Sequence, residues 1–159
     1  MNAITKKQTP VARSIVGRLI VFILCWGYLT GCAAFELESI TYQEALAQYQ
    51  EKGGIENYRC VLFPTDKRYQ ALNTAQPIAI EIDEILFVKI DGAIHELQQS
   101  NIDETRTNYV LNDMSATLIT VSQFNYSEYK ESDDRHVDLT FEFTGKTRNY
   151  KTFGARCGT

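Results

Sequence analysis

Three patterns of apolar and polar positions succeed one another along the chain. Leu19 to Leu29 form an eleven-residue apolar stretch. Further on, Tyr42, Ala45, Leu46 and Tyr49 recur at the i, i+3, i+4, i+7 spacing of an amphipathic helix. Thr41-Tyr42-Gln43-Glu44 reads as a capping box at its start, Ile40 is placed to staple onto Ala45, and Gly53 follows as a C′ residue. One stripe of this helix should pack down as the cover of a core.

From Glu56 onward the period changes to two, and branched and aromatic residues gather in short runs between turn residues, which predicts antiparallel sheet. Tyr58, Cys60 and Leu62 share one face of a strand that stops at Pro64, residues 65–76 read as irregular, and Ile78, Ile80 and Ile82 share one face of the next strand. Ile85 to Ile90, Asp91-Gly92 and Ala93 to Leu97 form a hairpin signal, because a type I′ turn needs positive φ at both central residues. Tyr109 to Leu111 and Ala116 to Phe124 flank a turn at Asn112-Asp113-Met114-Ser115; Val137, Leu139, Phe141 and Phe143 alternate, turn at Gly145 and pair with Thr147 to Phe153. The expected fold is mainly β: a small antiparallel barrel or sandwich of seven to eight strands with one N-terminal helix, closure being the way to remove aggregation-prone edges.

Residues 1–18 hold Lys6, Lys7, Arg13 and Arg18 and no acid. A basic flank before eleven apolar residues fits a secretory signal and falls short of the roughly 18 that a spanning helix needs. Leu29-Thr30-Gly31-Cys32 then resembles the bacterial lipobox at all four positions. The resemblance implies cleavage before Cys32, a diacylglycerol thioether on its sulfur and acylation of the new amine by a chain such as palmitate; several acyl chains anchor stably where one does not. An ordinary signal with an incidental Cys32 is the other reading. Residues 1–31 are thus expected to be a cleaved signal peptide, 32–40 a lipidated cysteine and tether reaching at most about 28 Å, and 41–159 a single β-rich periplasmic domain. Ala33 stands where an inner-membrane retention signal would have Asp, which implies the periplasmic face of the outer membrane, or the outer face of the plasma membrane in a source with one membrane.

Processing changes the charge and the cysteine inventory. The formal net charge of the 159-residue chain is −4; the signal takes four basic side chains and no acid with it, leaving −8. That balance opposes the phosphate contacts of a nucleic-acid binder, so no nucleic-acid partner is expected. The only tryptophan, Trp26, leaves as well. Of four cysteines, Cys25 is discarded and Cys32 lipidated, so Cys60 and Cys157 should form a disulfide in an oxidising compartment, tying the first strand to the last; two buried free thiols are the alternative.

Catalytic motifs do not emerge. His95 and His136, the only histidines, read as exposed strand residues, and no cysteine pair has zinc-ligand spacing. No catalytic residue, metal ligand or cofactor is assigned, and the chain reads as a non-enzyme. Seven acids between Glu81 and Glu104 face only Lys89, and Glu128, Glu131, Asp133 and Asp134 precede His136. They read as solvated acids, with Asp83-Glu84 and Asp133-Asp134 in turns, against a calcium site or a glycosidase pair as alternatives. Lys146, Arg148, Lys151 and Arg156 make one end basic, either a solvated edge strand or a face for phosphate head groups or an acidic partner.

The lipobox, Tyr58-Arg59-Cys60 opening the first strand, a small β body and the terminal Cys157 are together similar to membrane-bound inhibitors of c-type lysozyme. That resemblance implies an eight-stranded barrel that blocks the lysozyme cleft. The comparable stretch, Phe87 to Val121, lacks the family's Ser-Gly-x-x-Tyr loop and Lys-Gly turn: Ser100 and Tyr109 stand too far apart, and Asn112-Asp113-Met114-Ser115 has no lysine. The expected function is therefore a lipid-anchored, non-catalytic envelope lipoprotein docking to an envelope protein, with a lysozyme-inhibitor-like barrel as the alternative. A lipocalin-like carrier is a third reading that requires a hollow barrel.

Overall fold

The computed structural model describes residues 35–65 and 76–159. The expected signal peptide, Cys32 and the part of the expected irregular stretch that spans 66–75 lie outside the described residues. Among the described residues, eight antiparallel strands follow one short helix: α1 (Tyr42–Glu51), β1 (Arg59–Pro64), β2 (Ala79–Ile82), β3 (Ile85–Ile90), β4 (Ala93–Ile102), β5 (Arg106–Leu111), β6 (Met114–Phe124), β7 (Ser132–Phe143) and β8 (Lys146–Gly158). Each strand pairs with its neighbour in sequence, and β8 returns to pair with β1, so the sheet closes into a barrel.

Turn chemistry sets the hairpins. Asp91 and Gly92 take φ of 50° and 75°, and Thr144 and Gly145 take 50° and 74°, the left-handed pair that a two-residue link needs to match strand twist. Asn112 also sits at φ 52°, and Leu111 pairs directly with Met114. The link is thus Asn112-Asp113 alone, tighter than the four-residue turn expected, because Asn tolerates the left-handed region. β2 begins at Ala79: Ile78 packs into the barrel interior, whereas Ile80 and Ile82 point outward beneath α1.

Two apolar clusters result. Leu62, Val88, Leu97, Tyr109, Leu139 and Phe141 belong to the interior cluster. Ile80, Ile82 and Phe87, on the outer face of β2 and β3, pack with Ile40, Ala45, Tyr42, Leu46 and Tyr49. α1 therefore covers the outside of the barrel with the stripe its spacing predicts, and β2 is buried on both faces. Thr41 caps α1 in a full capping box with Glu44. The Thr41 backbone and hydroxyl bonds, with Lys89, lower the Glu44 carboxyl to about 2. Its stabilising contribution is present above the ordinary 4.5 and disappears as pH falls toward 2. Thr41→Ala should cost about 1 kcal/mol at neutral pH, read from urea midpoints, and Glu44→Gln should flatten the acid limb of the stability profile.

Residues 35–40 are not a tether. Leu37 and Ile40 are buried. The Phe35 ring lies 5.7 Å from those of Phe141 and Phe143, Leu37 N donates to the Tyr150 hydroxyl at 3.1 Å, and Glu38 N donates to Lys89 O at 2.8 Å. The segment crosses the end of the barrel that carries the three tight turns and plugs it with apolar side chains, which free tether residues would have left in water.

Two charge expectations are also corrected. β8 is paired on both sides and is no edge strand. Its cations are spread along its whole length, Lys146 at the plugged end and Arg156 at the other, with Arg148 paired to Glu36 and Lys151 to Asp138; no basic end forms. Asp133-Asp134 is not a turn but part of β7, with Asp133 buried.

Candidate functional site

The end of the barrel opposite the plug is open. The β2–β3 turn at Asp83-Glu84, the link 103–105 between β4 and β5, the starts of β1 and β7 and the end of β6 surround a recess of about 280 Å³. Alternation explains its polarity. Inward positions that are apolar near the plug become polar toward the mouth: Leu139 and Val137 give way to Arg135 and Asp133 on β7, and Ala79 gives way to Glu81 on β2.

Glu81 lies at the floor of the recess, 9% exposed. The hydroxyl of Tyr109 donates to Glu81 Oε1, and that of Tyr58 donates to Oε2 at 3.1 Å. Burial raises the Glu81 carboxyl above its ordinary 4.5, against the hydrogen bonds from Tyr109 and Tyr58 and the charge of Arg135. Burial and the neighbouring Glu81 push both phenols above 10, so they remain donors at neutral pH.

Beside this trio, Arg135 forks onto Asp133, Nε to Oδ1 at 2.7 Å and the second nitrogen to Oδ2 at 2.9 Å. Gln123 Nε2 donates to the same Oδ2 at 3.2 Å. Although burial acts to lower its pKa, the Asp133 hydrogen bonds and the surrounding negative charge raise that of Arg135. The fork is bidentate and locked in geometry. Asp83 at the rim accepts from the backbone of Asn57 and Tyr58 at 3.1 and 3.0 Å and from the Tyr49 hydroxyl, which fastens the C-terminal half of α1 and the approach to β1 onto the mouth. Asp83, Asp103 and Glu104 make the rim acidic.

The sequence-predicted residues fall around this mouth unevenly. Cys32 lies outside the described residues. Cys60 and Cys157 are joined as a disulfide across the β1–β8 seam, where Arg156 adopts φ 52° and the register shifts between Arg59 and Val61. Cys60 lines the recess, and a Cβ added at Gly154 would lie 2.9 Å from both sulfurs. His136 is exposed, as expected, with its ring 5.2 Å from that of Phe124 and 6.2 Å from that of Phe153. His95 is half-buried and stands opposite Val88, on the inward register of β4, which corrects its reading as an exposed residue. Among the described residues, no three His, Cys, Asp or Glu side chains gather as a metal site.

Glu81, Arg135 and Asp133 were missed as a cluster. In sequence Glu81 reads as one of the solvated acids, yet it carries a signal of its own: a lone carboxylate inside Ile78-Ala79-Ile80-Glu81-Ile82 must be buried on one face or the other. Tyr109 is wholly buried with its hydroxyl on Glu81, so it serves the interior of this barrel. Comparison with known families, curated proteins and solved structures found no match for the chain.

Proposed function

We propose that the chain is a lipid-anchored lipoprotein of the cell envelope, held by Cys32 on the periplasmic face of the outer membrane, whose barrel acts by binding and docks to an envelope protein through its open mouth. The observation that carries this is the asymmetry of the barrel: residues 35–40 fill one end with apolar side chains, and the other is a polar recess with a rigid floor and an acidic rim. A recess lined by Glu81, Asp83, Asp103 and Glu104 with the single cation Arg135 favours a partner that offers a basic or hydrogen-bond-donating group. The basic flank, apolar stretch and lipobox support the anchor.

Crosslinking followed by affinity purification of the full-length protein from its own cells tests the reading. An envelope protein captured in stoichiometric amount should be lost with both Cys32→Ala and the rim variant Asp103→Lys/Glu104→Lys. Undiminished capture by the rim variant would rule out the mouth as the docking face.

The second reading is lysozyme inhibition, favoured by a closed eight-stranded barrel with its first and last strands joined by Cys60–Cys157, the architecture that the resemblance implies. The purified protein should then suppress c-type lysozyme on cell walls, and no suppression at molar excess removes that reading. A carrier of apolar ligands is disfavoured, because Leu37, Tyr109, Phe141 and their neighbours fill the interior between plug and mouth.

A further inference from the structure

The packing of residues 35–40 sets how far the barrel can stand from its anchor, and where. Had 33–40 been a free tether, a reach of about 28 Å would have let the domain tumble into any orientation. Instead, Phe35 is already packed against the barrel. Its ring meets those of Phe141 and Phe143 beside the β7–β8 turn, Arg148 Nε donates to its carbonyl at 3.1 Å, and Leu37 and Glu38 carry the segment across to the β3–β4 turn. Gly92 N donates to Glu38 Oε1 at 3.0 Å, which fastens that turn as well. Only three residue steps separate Cys32 from Phe35, a span of at most about 10 Å.

The mouth is much farther away. Along β8, Arg148 beside Phe35 and Cys157 beside the recess are nine residues apart. At about 3.3 Å per residue, and with the strand tilt usual in barrels, that places the mouth some 20 Å beyond Phe35 along the barrel axis. Acyl chains on Cys32 therefore cannot reach a bilayer that lies against the mouth.

We infer that the plugged end of the barrel, with its tight turns at Asp91-Gly92, Asn112-Asp113 and Thr144-Gly145, is the surface that meets the lipid head groups, and that the acidic mouth is held facing away from the membrane. The inference rests on the lipid anchor at Cys32 proposed above. It makes the short anchor an orienting device: the recess is presented to partners that approach from the far side, and a lipid head group is not its ligand.

The test uses the full-length, processed protein reconstituted in vesicles of phosphatidylethanolamine and phosphatidylglycerol that carry a headgroup quencher. A fluorophore is placed on Asp113→Cys in the β5–β6 turn or on Glu104→Cys at the rim, both exposed positions. Mass spectrometry of the same preparation reads acylation of Cys32. With Cys32 acylated, quenching should be several-fold stronger at 113 than at 104. Equal quenching means a barrel lying on its side, and stronger quenching at 104 means an inverted one; either overturns the orientation while the anchor stands. An unmodified Cys32 overturns the anchor, and the orientation with it.

Discussion

Replacing Cys60 and Cys157 together by alanine should lower the unfolding free energy by about 4 kcal/mol and the melting temperature by roughly 15 °C. The two cysteines are 97 residues apart in sequence and adjacent in space. Crosslinking them removes the entropy of a loop of about 100 residues from the unfolded chain, worth somewhat over 4 kcal/mol in the chain-entropy account. Position adds to length. Other strand pairs are joined by short links such as Asp91-Gly92 and Thr144-Gly145, but β1 and β8 are joined by the whole of the chain between them and meet only at the seam that the disulfide spans. Without the bond, opening the seam frees two strand edges at once, and such edges pair with other molecules. Equilibrium unfolding in urea of the oxidised protein against the double variant reads the effect. A difference below about 1 kcal/mol would mean that hydrogen bonding and the interior hold the seam unaided.

Glu81→Ala should cost about 3 kcal/mol, the second largest effect. It strips the acceptor from two buried phenols, each unsatisfied hydroxyl costing about 1–3 kcal/mol, and leaves Arg135 with less negative charge nearby. Glu81→Gln keeps an acceptor and should cost far less. The pair separates hydrogen bonding from charge through pH. Because burial raises the folded-state value of Glu81 above 4.5, the folded protein holds this proton more tightly than the unfolded chain does. Its contribution to stability is full below about 4.5 and is lost as pH rises through the raised value. The wild-type profile should decline over that interval and the Glu81→Gln profile should not. Identical profiles would show that Glu81 is solvated in solution.

The elements legible beforehand were those whose cause is local. Asp91-Gly92 can supply two left-handed residues wherever the chain goes, and the hairpin around it pairs Ile90 with Ala93 as expected. Thr41 and Glu44 satisfy each other's amide hydrogens within one turn, and the stripe from Tyr42 to Tyr49 marks the face that packs. The misreadings share one cause. Asp133-Asp134 reads as a turn and Glu81 as a solvated acid because acids normally face water, and only a closed barrel with one polar end gives Asp133 and Glu81 an interior to face. Residues 35–40 read as a tether because the alternation Phe35-Glu36-Leu37-Glu38 is too short to mark an element; their partners, Phe141, Phe143, Tyr150 and Lys89, lie at least fifty positions away.

Sequence alone therefore determined the class of the fold, the helix and the principal hairpins, since turn stereochemistry, capping and the period of apolar positions act over a few residues. Tertiary structure alone decided that the sheet closes β8 onto β1, that one end is plugged and the other open, and that Glu81, Tyr58, Tyr109, Arg135 and Asp133 meet at the mouth. Closure joins the two ends of the sheet. Which side of each strand becomes an interior, and whether that interior is dry or polar, depends on all eight strands together.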